Sequence, residues 1–322
     1  MTLNLTHSPL VLLKNVGKNY GKSPVLQGID LQLDQGEVLG LFGHNGAGKT
    51  TMMKLILGVI SPSHGDIEVM GVAPDSKEAW HMRAKIGFLP ENVSFYEQLT
   101  GFEVITYLSK LKGFDKKHAI ALLEQVGVAH AMKRQVKTYS KGMRQRLGLA
   151  QAFIGHPQLL LLDEPTVGLD PIATADFYKT VDQLKNQGTS VILCSHVLPG
   201  VEKHIDRAMI ISSGKVIATG TLEVLRKSAD LPVSIKAYGL NGALREDGHL
   251  LKYFNNTKSD DILLVPEQEK LATLRHLLNY PNLQNIEMNS ANLEQLYQYF
   301  LSKEYQVNTN ENTVIENLEG QS

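Results

Sequence analysis

The stretch Gly43-His44-Asn45-Gly46-Ala47-Gly48-Lys49-Thr50-Thr51 decides the fold of this chain. It follows the apolar run 37–42 and precedes the helix-forming run 52–57, so the sequence predicts the order strand, glycine loop and helix. The glycines let successive backbone N–H groups turn towards phosphate oxygens, and the helix start adds its dipole. Lys49 would reach the β- and γ-phosphates of a nucleotide, and the Thr50 hydroxyl would contact Mg²⁺. The spacing therefore predicts a phosphate-binding loop.

The composition is that of an ordinary globular protein. Its 322 residues are 43% hydrophobic and 20% charged, which is enough chain for two domains. The formal net charge of -1 gives no global reason to expect nucleic acid as a partner, so we expect none. Cys194 is the only cysteine, which excludes an internal disulfide and fits a reducing compartment.

We expect neither an export signal nor a membrane span. Residues 1–14 have only a short apolar run at 10–13, with no basic region before it. Elsewhere no apolar stretch approaches the roughly 18 residues that a span requires. If the protein works at a membrane, another chain must supply the span.

Strand-like and helix-like runs alternate through most of the chain, which predicts an α/β fold. Residues 97–155 carry apolar side chains at helical spacing, and we expect a helical insertion between strands of one sheet. The run Leu159-Leu160-Leu161-Leu162-Asp163 is apolar on both faces, which is typical of a buried parallel strand. Further strands are predicted at 10–16, 26–33, 65–71, 85–90 and 190–195, with a hairpin over 208–218.

The alternation ends near Ala229, where we place a boundary between a domain at 1–228 and a small α+β accessory domain at 229–302. In the second domain the sequence predicts strands at 262–265 and near Ile286 and helices at 268–278 and 293–301. Residues 303–322 are polar and acidic, and their composition predicts a disordered tail.

Acidic residues directly follow the four-leucine strand. Asp163 could hold the Mg²⁺ that bridges nucleotide phosphates, and Glu164 could polarise an attacking water as a general base. The competing interpretation is an acidic helix cap at a strand exit. Tyr20 also admits two interpretations, a half-buried strand aromatic or an exposed ring on which adenine stacks.

The run Ser140-Lys141-Gly142-Met143-Arg144-Gln145-Arg146 opens a predicted helix, with Ser140 at the N-cap position. A helix start of this kind can bind phosphate, although most serine-capped helices bind nothing. This motif therefore indicates a phosphate contact only in combination with the other motifs of the chain.

The order of these motifs resembles the nucleotide-binding domain of ABC transporters. The resemblance covers residues 10–228, and besides the motifs above it includes Gly168-Leu169-Asp170 and His196. It implies a P-loop NTPase fold of the ABC type with a helical insertion, at about 97–155. It also implies an ATPase that uses ATP and Mg²⁺.

The resemblance assigns a role to each motif. Because one chain holds one set, it implies a head-to-tail homodimer in which two ATP lie between two chains. By this resemblance Tyr20 stacks on adenine, while Lys49 and Thr50 bind phosphate and Mg²⁺. It also implies that Asp163 ligates Mg²⁺ through water, that Glu164 is the catalytic base and that His196 contacts the γ-phosphate. Asp170 would join the two halves of the dimer, and Ser140 with Gly142 would face the ATP of the opposite subunit.

The sequence departs from the usual pattern at two places. Glu91 replaces the usual glutamine near the metal and the attacking water; its carboxylate can accept from water or bind Mg²⁺, but it adds charge. Lys141 and Met143 replace the more usual glycine and glutamine of the signature loop. Both variants are familiar among bacterial drug- and metal-export ATPases.

A narrower resemblance is to the ATPase subunits of Nos-type transporters, which serve maturation of the copper centres of nitrous-oxide reductase. It rests on residues 39–45, 90–96 and 194–202 and weakens after Ala229. It implies a membrane-spanning permease, a periplasmic accessory subunit and a place at the cytoplasmic face of the bacterial inner membrane. The scattered histidines and the single thiol suggest no copper site in this chain, so we expect cargo to be handled by the partners.

Other interpretations stay open. The chain could be an export ATPase for another cargo, or a soluble regulatory ABC ATPase acting on ribosomes or DNA, although such proteins usually carry two nucleotide domains or a long inserted arm. A GTPase is disfavoured because the sequence has no Asn-Lys-x-Asp motif. Residues 95–107 either dock the membrane partner or simply pack within the domain.

Overall fold

The protein divides into two compact units, Met1–Thr219 and Gly220–Ser322. The computed structural model describes residues 8–196, 198–240, 242–254 and 262–319. The boundary predicted after residue 228 would fall inside a helix, α7 (Leu222–Ala229). That helix belongs to the second unit because it packs on a later helix and Arg226 Nε donates 2.7 Å to the Ala291 carbonyl. The prediction placed the boundary at the end of this helix, whereas the chain enters the second unit before it.

The first unit is built on a six-stranded sheet in the order β5-β6-β7-β3-β8-β9, with β5, β6, β7, β3 and β8 parallel. A three-stranded antiparallel sheet, β2-β1-β4, shares its hydrophobic core. The strands of this unit are β1 (Val11–Tyr20), β2 (Ser23–Leu33), β3 (Val38–Phe42), β4 (His64–Val69), β5 (Ile86–Leu89), β6 (Leu159–Asp163), β7 (Ser190–Ser195), β8 (Arg207–Ser212) and β9 (Lys215–Gly220).

The four-leucine run forms β6 in the interior of the large sheet, and all five of its residues are buried. The prediction of a buried parallel strand is therefore confirmed. Its register pairs Asp163 with Cys194 of β7, and Phe42 of β3 pairs with Ser195. Parallel strands end at the same edge, so the chain leaving β3, β6 and β7 meets there. This edge carries the phosphate-binding loop.

Helices cover the large sheet, and α3 to α5 form the helical segment predicted over 97–155. A capping box at Thr100 and Glu103 fixes the start of α3, and Ser140 caps α5 as the sequence predicts. The helices are α1 (Lys49–Ile56), α2 (Trp80–Ala84), α3 (Gly101–Leu111), α4 (Lys116–Gln125), α5 (Lys141–Ala152) and α6 (Pro171–Asn186), with 3-10 turns at Lys77–Ala79, Ala129–Ala131, Val136–Thr138 and Val201–Lys203.

The second unit contains a three-stranded antiparallel sheet in the order β11-β10-β12. Its central strand, β10, has no counterpart in the sequence prediction, although Val233, Ile235 and Ala237 alternate as buried residues along it. The elements are α7, β10 (Val233–Tyr238), α8 (Ala243–Glu246), β11 (Ile262–Val265), α9 (Lys270–Leu277), β12 (Asn285–Asn289) and α10 (Leu293–Glu319), with 3-10 turns at Leu251–Tyr253 and Glu267–Glu269.

The last helix corrects a prediction. The sequence placed a helix at 293–301 and a disordered tail at 303–322, but the backbone of α10 is helical to Glu319. The polar end of this segment lacks the apolar face that marks a packed helix in a sequence, so its pattern does not predict a helix. Residues 293–319 nevertheless contain no proline or glycine that would end one. Residues 320–322 lie outside the described residues.

Candidate functional site

The phosphate-binding loop leaves β3 at Phe42 and enters α1 at Lys49. Gly48, the residue before the helix, has φ of 109°, and a Cβ built there would lie 2.5 Å from Cδ2 of Leu26. Only glycine adopts this backbone without strain while passing so close to β2. Lys49 is 6% exposed, and its ammonium donates to the carbonyls of Gly43 at 2.6 Å and His44 at 3.2 Å. The loop thus binds the side chain of a buried lysine through its backbone carbonyls.

Asp163 ends β6 opposite the start of α1. The Thr50 hydroxyl donates 2.7 Å to its Oδ2, and its side chain is nearly fully buried. Burial raises the pKa of Asp163, and the charges of Glu164 and Glu91 raise it further, while the Thr50 hydrogen bond and Lys49 oppose the shift. A cation bound at this carboxylate would relieve the cost of its ionised form.

Glu164 occupies a turn with a positive φ of 51°. Its N–H donates 3.0 Å to the Cys194 carbonyl, so β7 holds the turn in place. Oε2 lies 2.8 Å from Nδ1 of His196, whose side chain is about half exposed. Oε1 is buried and has no hydrogen-bond partner among the residues that the structure describes. A buried carboxylate oxygen without a partner is suited to accept a hydrogen bond from a bound water.

A cleft of about 510 Å³ brings these groups together. Tyr20, at the end of β1, lines the cleft and is 50% exposed, and Lys18 Nζ lies 5.4 Å from the centroid of its ring. Glu91 follows β5 and adds a second carboxylate near Asp163. The cleft is lined by Tyr20, Val25, Asn45, Gly46, Gly48, Lys49, Thr50, Thr51, Glu91, Asp163 and Glu164.

Ser140, Gly142 and Asp170 lie outside this lining, as do Gly43, His44, Ala47 and His196. The first three are those that the resemblance assigns to the opposite subunit and to the contact between the two halves. The Ser140 Oγ accepts from the Met143 N–H at 3.2 Å as the N-cap of α5. Gly142 passes close to the next segment, since a Cβ built there would lie 2.9 Å from the Gly168 carbonyl oxygen. Asp170 caps α6 through the Ala173 N–H at 2.8 Å. Within one chain these residues have structural roles, and they do not reach the cleft.

The cleft supplies oxygen ligands for a hard cation through Thr50, Asp163 and Glu91. Across the described ranges, no group of three or more His, Cys, Asp or Glu side chains is placed to hold a metal ion. A Mg²⁺ here would therefore need the Thr50 hydroxyl, phosphate oxygens and water to complete its ligands.

Comparison with known proteins identifies the family. The ABC transporter family profile matches residues 26–167. The chain is 34% identical over 298 residues to the linearmycin resistance ATP-binding protein LnrL of Bacillus subtilis. The aligned region covers 88% of this chain and 96% of LnrL. The chain belongs to the family of ABC transporter ATP-binding proteins. It is an ATP-hydrolysing subunit of an ABC transporter.

Other similarities agree with this assignment. The chain is 36% identical over 222 residues to the bacitracin transport ATP-binding protein BcrA of Bacillus licheniformis, covering 68% of this chain and 72% of BcrA. The fold matches the dimeric ATP-binding cassette MJ0796 in a post-hydrolysis state bound to ADP and Pi, with a TM-score of 0.62, 24% identity, and coverage of 66% of this chain and 98% of the cassette. No helix in the described part of this ABC ATPase is long and apolar enough to cross a membrane.

One contact of the Glu164 turn has no local signal in the sequence of this ABC ATPase. Gln145 Nε2 on α5 donates to the carbonyls of Glu164 at 3.3 Å and Pro165 at 3.1 Å. Gln145 lies on a helix that the sequence predicts, but only the folded chain shows which segment its amide contacts.

Proposed function

We propose that two copies of this protein enclose two ATP molecules, each site combining the cleft of one chain with Ser140 and Gly142 of the other. The observation that carries the proposal is the convergence of Lys49, Thr50 and Asp163 with Glu164 in one cleft. The start of α5 lies outside that cleft and remains available to a second copy. A helix start with a bare glycine backbone suits a phosphate.

Within this site each residue has a chemical task. Lys49 would exchange its loop carbonyls for the β- and γ-phosphates, and Thr50 and Asp163 would hold Mg²⁺, with Glu91 beside them. Bound Mg²⁺ neutralises charge on the transferred phosphoryl group. Glu164 would accept the proton of the attacking water at Oε1, the oxygen that has no partner in the described part of the chain, while His196 would hold Oε2 and approach the γ-phosphate.

The test is Glu164→Gln, which keeps the shape of the side chain and removes the base. We expect hydrolysis to fall about 10²- to 10⁴-fold. Because ATP binding persists, the variant should accumulate as an ATP-dependent dimer on size-exclusion chromatography. Glu124→Gln, an exposed residue of α4, is the matched control. Unchanged hydrolysis together with a monomer in ATP would contradict the proposal.

We further propose that residues 95–107 dock a membrane-spanning permease. Two observations on α3 support this: Tyr107 and Leu111 are 61% and 68% exposed, while Thr106 and Ser109 are buried with no partner for their hydroxyls in the described ranges. Tyr96, just before the helix, is 79% exposed. Large apolar side chains on the surface and hydroxyls inside mark a face that a partner covers.

Combined replacement of Tyr96 and Tyr107 by alanine tests the docking surface. We expect ATP-dependent dimerisation to persist and co-purification with the permease to be lost. Leu271→Ala, a 62% exposed residue of the second unit, should leave co-purification intact. If the double variant co-purifies as well as the native protein, packing within the domain is the better account. Absence of any membrane partner for the native chain would instead favour a soluble regulatory ATPase.

For the transported cargo we propose the Nos-type role, in which the transporter supplies a copper or sulfur species for nitrous-oxide reductase. In this role the subunit works at the cytoplasmic face of the bacterial inner membrane, with a permease and a periplasmic accessory subunit as its partners. Its support is the sequence resemblance at residues 39–45, 90–96 and 194–202. The names of the relatives favour the alternative, export of another cargo such as an antibiotic. Metal and sulfur analysis of the reductase from a strain lacking this chain, beside bacitracin sensitivity of that strain, separates the two.

A further inference from the structure

The first turns of α5 contact the segment from Glu164 to Asp170 at both of its ends. At one end Gln145 Nε2 donates to the Glu164 and Pro165 carbonyls. At the other, Arg146 Nη2 lies 3.6 Å from Oδ2 of Asp170. The helix that would face the ATP of a second chain is thus attached to the segment that carries the catalytic base of its own chain.

Gln145 is the buried member of this attachment. Gln145 is 5% exposed, and its side-chain amide donates to the carbonyls of Glu164 and Pro165. The turn itself is tight, because Val167 N–H also donates 3.2 Å to the Glu164 carbonyl and Glu164 has φ of 51°. A backbone in this conformation persists only when its surroundings hold it.

We propose that Gln145 is a positioning residue for hydrolysis, which orients Glu164 by fixing the carbonyls of the turn to α5. The inference rests on the proposed function, since it takes Glu164 as the base and Ser140 as the contact to the opposite ATP. Gln145 touches no substrate; it sets where Oε1 of Glu164 points. Ser140 caps the helix that carries Gln145. An ATP held in the cleft of one chain and contacted by Ser140 of the other would therefore also affect the orientation of Glu164 in that other chain.

The experiment compares Gln145→Met with Gln151→Met in the full-length protein. Methionine keeps an unbranched side chain but cannot donate a hydrogen bond. Gln151 lies on the same helix, is partly exposed, and serves as the matched control. The readouts are kcat and KM for ATP, the melting temperature, and the ATP-dependent dimer formed when each change is combined with Glu164→Gln.

For Gln145→Met we expect kcat to fall by about 10- to 100-fold, the cost of a catalytic group displaced by about 1 Å. KM should stay unchanged, and the Gln145→Met, Glu164→Gln double variant should still dimerise at the ATP concentration that suffices for Glu164→Gln alone. Gln151→Met should retain the native kcat.

Two results would overturn the inference. One is a kcat equal to that of Gln151→Met. The other is a fall in kcat accompanied by a higher KM, a lower melting temperature and loss of the dimer, which would mean that Gln145 only stabilises α5. If Glu164→Gln alone forms no dimer in ATP, the two-chain site is wrong, and the kcat of the two methionine variants still decides whether Gln145 contributes to hydrolysis.

Discussion

The Thr50 hydroxyl donates a 2.7 Å hydrogen bond to Oδ2 of Asp163 and so joins the start of α1 to the end of β6. The two oxygens are those proposed to hold Mg²⁺. Burial makes the ionised form of Asp163 costly, as its raised pKa indicates. The ionised carboxylate of Asp163 is therefore unfavourable until a cation binds beside it.

Asp163→Asn should stabilise the protein without nucleotide at neutral pH while abolishing hydrolysis. A carboxyl whose pKa is raised on folding contributes stability that is present at low pH and is lost as the pH rises through the raised pKa. The variant should therefore melt above the native protein at pH 7, by roughly 2–4 °C for each kcal/mol gained. The difference should shrink towards about pH 4, where the unfolded carboxyl is itself protonated.

Thermal melts at pH 4 to 8 without nucleotide measure this effect. Asp75→Asn, an exposed aspartate outside the cleft, should leave the melting temperature unchanged. A lower melting temperature for Asp163→Asn at pH 7 would mean that the ionised carboxylate stabilises the fold by itself.

His196→Ala should lower kcat by a larger factor than it weakens ATP binding. Nδ1 of His196 lies 2.8 Å from Oε2 of Glu164, so its loss frees the carboxylate to leave its orientation. A mispositioned base costs about 10- to 100-fold in kcat. Steady-state kinetics and binding of a fluorescent ATP analogue separate the two effects. His130→Ala, an exposed histidine distant in the chain, is the control, and an unaltered kcat for His196→Ala would exclude this role.

Parts of the fold could be predicted because their signals are local. The glycine spacing around Lys49 and the four leucines of β6 each report a conformation that neighbouring residues determine, and the structure has both. The same holds for Ser140, whose hydroxyl caps the next turn of its own helix. The cleft follows from these, because parallel strands bring their ends together.

Other features depend on contacts between distant segments. Residues 97–155 carry apolar side chains at helical spacing, yet α3 exposes Tyr107 and Leu111 and buries Thr106 and Ser109. Which face of a helix is covered depends on the segments that pack on it, and these leave no local signal in the sequence. Likewise, nothing near Gln145 in sequence indicates that its amide meets the Glu164 turn.

Tyr178→Phe should remove a loss of stability that the first unit shows in alkali. The Tyr178 side chain on α6 is buried, and its ring stacks on His204 with the ring centroids 4.5 Å apart. Phenylalanine keeps the stacking and removes the ionisable hydroxyl. Burial, followed by the charge of Glu164, raises the pKa of Tyr178 to about 12.

The expected pH dependence follows from the titration of this hydroxyl. A raised pKa means that native stability falls as the pH passes from about 10, where an unfolded tyrosine ionises, towards about 12. The stability of the native protein should therefore fall relative to that of Tyr178→Phe above about pH 10 and not below it. Tyr238→Phe, in the second unit, is the control and should follow the native protein; denaturant melts at pH 8 and 10.5 make the comparison.

Asp247→Asn should weaken the second unit by about 1–2 kcal/mol at pH 7, because hydrogen bonds to a charged group are lost. Oδ2 of Asp247 accepts from Tyr280 and from His276, each at 2.5 Å. Tyr280 first and then His276 hold the pKa of this carboxyl well below its usual range. A lowered pKa gives stability that is present above about pH 4 and is lost as the pH falls through the lowered value, so the gap should close in acid. Hydrogen exchange of the β10 to β12 amides measures it against Glu246→Gln, an exposed neighbour; equal protection in both variants at pH 7 would rule the network out as a source of stability.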